Sequence, residues 1–191
     1  MDSVIVVVSG LPRSGTSLMM QMLDRAEIEV ATDQQRSADE DNPRGYYEIE
    51  AVKRLQRDHS WLSEMRGKAL KVISQLLFAL PDSEQYRVIL MRRDLDEILA
   101  SQAAMLARHG RTGGGKTEVL RKAFVAHLEH LESWLPKQAH LTVHEFNYRD
   151  VVAEPRQAAE EVAEFLGADL DIAAMTEAVD PALYRNRRQD G

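Results

Sequence analysis

Cysteine is absent from the 191-residue sequence, so disulfides and thiolate metal sites are excluded and a reducing compartment, the cytoplasm, is the expected location. Long apolar runs are also missing. The N-terminal run Val4 to Val8 has five residues and no basic segment before it, whereas a membrane span needs about 20. It reads as a strand, not as a signal peptide, and no membrane span is expected. Positive charge is scarce too, with 24 Lys and Arg against 31 Asp and Glu and a net charge of −7. Counterion release on nucleic acid needs clustered cations, so nucleic acid is not an expected partner, and an anionic ligand would require a local basic pocket. What is present is 44% apolar residues, enough for a sizeable core in one domain spanning residues 1–191.

The run Val4-Ile5-Val6-Val7-Val8 is continuously β-branched, the pattern of a parallel strand buried on both faces, and Gly10-Leu11-Pro12 breaks it. Helical spacing of Leu18, Met19, Met22 and Leu23 predicts a helix from Gly15 to about Ala26. Residues 32–45 are polar and carry Pro43 and Gly45, which predicts a loop. Downstream, the pattern predicts a helix from about Ile49 to Met65, strands at Ala69 to Ser74 and Arg87 to Met91, and a helix from Asp94 to about His109. Further on it predicts a long helix from Lys116 to Leu135, a strand at Leu141 to Phe146, and a helix from Pro155 to Leu166 stopped by Gly167. The histidines His109, His127 and His130 are expected to pack or face solvent. Strands alternating with helices imply a mostly parallel sheet flanked by helices, with ligands beyond the carboxyl ends of the strands.

Two segments compete for the role of phosphate loop. Residues 110–117 (GRTGGGKT) fit G-x-x-x-x-G-K-[ST] in every letter, but that motif works only when a buried strand aims successive N–H groups at the phosphates. Here a helix precedes it, so a connector between two helices is expected. Residues 10–17 (GLPRSGTS) have a strand before and a helix after, yet carry Thr16 where a triphosphatase keeps lysine. The cation stands inside the loop, at Arg13. Glycines let the backbone close around an anion, the helix N-terminus adds partial positive charge, and Thr16 and Ser17 supply hydroxyls from the first turn, with Ser14 in the same loop. The alternative is a glycine turn with no ligand.

Pro12 to Ser17 (PRSGTS) resembles the phosphosulfate loop P-[RK]-S-G-T-[ST] of the sulfotransferase family. Arg87 to Ser101 (RVILMRRDLDEILAS) resembles that family's 3'-phosphate motif, a strand ending in arginine with a serine eight residues on, which selects Arg93 and Ser101 and leaves Arg92 as the alternative. Eight residues are about two helical turns, so one helix can present both to one phosphate. Asn147 to Asp150 (NYRD), then Pro155 and Phe165-Leu166-Gly167, resembles the family's Y-x-D, proline and F-[LV]-G series. The resemblance implies a P-loop-type three-layer sandwich and a donor, 3'-phosphoadenosine 5'-phosphosulfate (PAPS), that leaves as adenosine 3',5'-bisphosphate. It further implies that Gly15 and its neighbours hold the 5'-phosphate, that Tyr148 lies near the adenine, and that Lys71 holds the sulfuryl oxygens.

The sequence departs from the cytosolic members two residues after that lysine, where Ile73 replaces their histidine base. Residues 42–48 (NPRGYYE) resemble the N-P-x-G-Y-[YF]-E segment of bacterial sulfotransferases, which makes Glu48 the candidate base, with His59 and Asp41 behind it. A carboxylate beside aromatic rings that restrict water is suited to removing a hydroxyl proton; its other role would be charge at a helix start. Arg185, Arg187 and Arg188 resemble the basic segment that closes on the 3'-phosphate. The strand Val88 to Met91 ends in Arg92-Arg93, a pair of cations where a phosphoryl-transfer enzyme would hold Mg²⁺ on a carboxylate, so no metal is expected. The expected activity is sulfuryl transfer to a hydroxyl or amine of a small-molecule, glycan or lipid acceptor. An ATP- and Mg²⁺-dependent small-molecule kinase and a non-catalytic nucleotide-binding module are the rival readings, and the oligomeric state is not legible.

Overall fold

The structure, a computed structural model, describes residues 3–33, 45, 47–108, 110 and 117–184. Expectations placed on Asp41 to Arg44, Tyr46, His109, residues 111–116, and Arg185, Arg187 and Arg188 lie outside the described residues. Strand β1 (Ile5–Gly10) is buried at every position and runs into helix α1 (Thr16–Arg25) through a five-residue turn. Strands β2 (Ala69–Ile73), β3 (Tyr86–Arg92) and β4 (Leu141–Asn147) complete a parallel sheet in the order β2-β1-β3-β4. Register aligns Gly10, the last residue of β1, with Ile73 on one side and Met91 on the other. The turn after β1 therefore opens between the ends of two neighbouring strands, at the strand-order reversal where ligands of such sheets sit.

Side chains alternate between two cores. Val6 and Val8 of β1 face Met19, Met22 and Leu23 of α1, together with Val162 of helix α5 (Pro155–Leu166) and Met175 of helix α6 (Ile172–Glu177). Ile5 and Val7 face the opposite way, with Leu70, Val72, Val88 and Leu90, against Leu131 of helix α3 (Thr117–Trp134). A smaller cluster joins Leu11, in the turn after β1, to Ile98 and Leu99 of helix α2 (Leu95–Arg108) and Phe124 of α3. The result is a three-layer sandwich of the P-loop type. Among the described residues, no helix is long and apolar enough to cross a membrane.

Two local expectations change. The predicted helix over 49–65 is two 3₁₀ segments, Glu50–Arg54 and Ser60–Met65. The Asp58 carboxylate accepts from the Ser60 N–H at 3.1 Å and from its hydroxyl at 2.7 Å, a local alternative to helical bonding. His59 is accordingly exposed between two short turns and does not lie in mid-helix. The short helix α4 (Tyr148–Ala153), capped by the Asn147 side chain on the Arg149 N–H at 2.9 Å, follows β4 directly and was not anticipated, and neither was α6.

On α3, His130 is exposed and stacks on Phe78, whereas His127 is half-buried with Nε2 2.8 Å from the Ser74 hydroxyl. Burial first, then the neighbouring His130 and Arg92, push the His127 imidazolium below its ordinary value of 6.5. The folded chain then binds this proton less readily than the unfolded chain. The stability that His127 contributes is present above about pH 6.5 and is lost as pH falls through the folded value. The urea midpoint should therefore drop more between pH 7 and pH 5.5 for the wild-type chain than for His127→Gln, and parallel pH profiles would contradict this.

Candidate active site

The turn after β1 is tight enough to exclude side chains at its glycines. A Cβ on Gly10 (φ 154°) would stand 2.3 Å from Ser14 Oγ and 2.6 Å from the Met91 carbonyl. A Cβ on Gly15 (φ 100°) would stand 2.3 Å from Cδ2 of Tyr148, so the tyrosine ring lies directly on the turn. Ser14 Oγ is buried with no hydrogen-bond partner among the described residues, an unusual cost for a hydroxyl that a ligand oxygen would relieve. Thr16 is buried at the first position of α1, beside the N–H groups that open the helix.

Arg13 lies in the same turn with a left-handed backbone, φ 73°, which is uncommon for a residue with a side chain. Tertiary bonds hold it there. Its Nε donates to the buried Ser101 hydroxyl of α2 at 3.0 Å, and its carbonyl accepts from Arg93 Nη1 at 3.1 Å. The guanidinium of Arg93 sits 4.6 Å above the Tyr148 ring and 5.2 Å from that of Tyr184, and its Nε donates to Glu97 at 2.9 Å. Arg13, Arg93, Ser101 and Tyr148, drawn from three separate stretches of chain, thus form one cluster. Arg92 is turned elsewhere, onto Glu132 of α3 at 3.1 Å and Glu145 of β4 at 2.7 Å.

A second group flanks the turn on the β2 side. Lys71 is buried, and its Nζ donates to Ser17 Oγ at 3.0 Å and to Glu48 Oε1 at 3.4 Å. Ser17 is in the first turn of α1, so the turn after β1, Lys71 and Glu48 are contiguous. Beyond the carboxyl ends of β3 and β4, an open cavity of about 390 Å³ is lined by residues including Arg92, Arg93, Glu97, Arg149 and Tyr184. Residues 110–117 follow α2 in the chain, so the element before them is a helix and not a strand.

The sulfotransferase domain family matches residues 4–190. The chain belongs to that family. Among solved structures, the sulfotransferase domain of the Synechococcus PCC 7002 olefin synthase superposes with a TM-score of 0.55 at 15% identity, over 98% of this chain and 89% of that one. Sulfotransferase STF9 from Mycobacterium avium gives 0.55 at 12% identity, over 99% and 70%. Mouse sulfotransferase SULT7A1, in a complex with PAP, gives 0.50 at 15% identity, over 94% and 63%. No curated protein matches the sequence. Family membership and fold support transferase activity of the sulfotransferase kind.

Two residues of this cluster, Glu97 and Tyr184, are absent from the sequence motifs' defining positions. Glu97 is buried and follows Arg93 by four residues, a spacing that signals a helical ion pair, although an acidic residue in a first helical turn ordinarily reads as solvated. Tyr184 comes from the far end of the described chain and carries no spacing signal. Its hydroxyl donates to Glu97 Oε1 at 2.7 Å.

Gly15→Ala tests the fit of the turn against Tyr148. The left-handed backbone and the ring overlap together should destabilise the fold by about 2–5 kcal/mol in urea denaturation. A change within about 0.5 kcal/mol, the range of ordinary surface substitutions, would contradict the close approach.

Proposed function

We propose that this domain transfers a sulfuryl group from PAPS to a hydroxyl or amine of its acceptor, acting as a single domain over residues 1–191. The observation that carries this reading is the Arg13–Ser101 hydrogen bond reinforced by Arg93 on the Arg13 carbonyl. It joins the turn after β1 to the β3-α2 segment in one basic site. Two cation-bearing elements so joined suit a ligand with two phosphate-like ends. The buried Ser14 hydroxyl and the absence of Cβ space at Gly10 and Gly15 fit an oxyanion held against backbone N–H groups.

When bound, PAPS supplies the sulfuryl group for in-line transfer, and adenosine 3',5'-bisphosphate leaves. In this reading Ser14, Gly15, Thr16 and Ser17 hold the 5'-phosphate through N–H and hydroxyl groups, with Arg13 beside them. Arg93 and Ser101 hold the 3'-phosphate, and Tyr148 borders the adenine. Lys71, already within reach of Ser17, stabilises the charge that builds on the bridging oxygen, a preorganised electrostatic role. Glu48 lies next to Lys71 with its side chain about one-third exposed (36%), so it can meet an acceptor hydroxyl and take its proton. The acceptor enters from this β2 side, where Ile73 is exposed.

Arg13→Ala and Arg93→Ala should each weaken binding of adenosine 3',5'-bisphosphate by about 1.5–3 kcal/mol in calorimetry, the value of a charge-assisted contact. Full affinity in both variants would remove this site from the reaction. Glu48→Gln should keep nucleotide affinity and lose turnover by about 100-fold or more, as expected for a general base. Turnover at the wild-type rate would assign the proton to another group.

A further inference from the structure

The carboxylate of Glu97 lies in the basic cavity beyond β3, only 6% exposed, where an anion site would ordinarily exclude a negative charge. Its contacts account for its presence. One oxygen accepts from Arg93 Nε at 2.9 Å, and both accept from the Tyr184 hydroxyl, at 2.7 and 2.9 Å. Burial and this carboxylate push the Tyr184 phenol up to about 12, so it remains a donor throughout the working range of pH. Tyr184 also meets Tyr148 edge to face, with ring centroids 5.0 Å apart.

These contacts hold Arg93 at several points. Glu97 takes Nε, the Arg13 carbonyl takes Nη1, and the rings of Tyr148 and Tyr184 lie against the guanidinium. Arginine has many rotamers, and fixing one before a ligand arrives removes an entropy cost from binding. We propose that Glu97 and Tyr184 are positioning residues that aim Arg93 and thereby set the preference for a nucleotide bearing a 3'-phosphate over one that lacks it. This rests on the reading of Arg93 as the 3'-phosphate contact. It also gives the segment from α6 to Tyr184 a role: the Tyr184 phenol ties this segment to Glu97 of α2, so the placement of Tyr184 and the aim of Arg93 are coupled. Glutamine at 97 could still accept from Nε, but without the charge that strengthens the bond. Phenylalanine at 184 keeps the ring and removes the donor that Glu97 needs.

The test is calorimetry with adenosine 3',5'-bisphosphate and adenosine 5'-monophosphate on the whole chain, wild type, Glu97→Gln and Tyr184→Phe. The ratio of the two affinities isolates the 3'-phosphate from general damage to the pocket. The expected result is a ratio about tenfold or more lower in Glu97→Gln and lowered, to a smaller degree, in Tyr184→Phe. Tyr184→Phe deletes one oxygen near the chain end and keeps the question open to refutation if Glu97→Gln fails to fold. A wild-type ratio retained in the folded variants would overturn this proposal alone. A wild-type chain that does not distinguish the two nucleotides would overturn it together with the donor assignment.

Discussion

Everything in the site depends on how two arginines are held beside one another. Arg93 donates to the carbonyl of Arg13, and Arg13 donates to Ser101, so the turn after β1 and the start of α2 share one polar seam. Two cations placed in one site repel, by an amount that grows with their proximity and as water is excluded. Glu97 offsets part of that repulsion, and the left-handed backbone at Arg13 adds strain of its own. An arrangement that combines repulsion, strain and an unpartnered buried hydroxyl at Ser14 is one that a polyanion would relieve.

The sheet explains why the seam can form. β1 and β3 are neighbours in register, so Gly10 and Met91 end side by side, and the residues that follow each of them emerge at the same edge. The turn after β1 and Arg93 are thus brought together by strand pairing, although 80 residues separate Arg13 from Arg93 along the chain. Lys71 arrives on the other neighbour of β1 by the same rule.

Much of this was legible in the sequence, for physical reasons that differ by element. β1 was readable because Val4 to Val8 are β-branched and uninterrupted, and α5 because proline opens it and Gly167, at φ 56°, closes it. The decoy at residues 110–117 could be discounted because a helix, not a strand, precedes it. The segment 49–65 was misread because periodicity ignores side-chain bonds such as those of Asp58, which cap Ser60 and divide the segment. Helices α4 and α6 have six residues each, too few for a periodic signal. Glu97 and Tyr184 were invisible as a pair because their contact spans 87 residues, and the motif that contains Glu97 is defined by Arg93 and Ser101 and leaves position 97 open.

The central claim is that this basic seam binds a bisphosphate donor of sulfuryl groups. Its most direct test is a transfer assay with labelled PAPS against a panel of hydroxyl and amine acceptors, run beside ATP, each with and without a metal chelator. Labelled product from PAPS that survives the chelator, and none from ATP, is the expected result. Product formed from ATP and abolished by the chelator would contradict it.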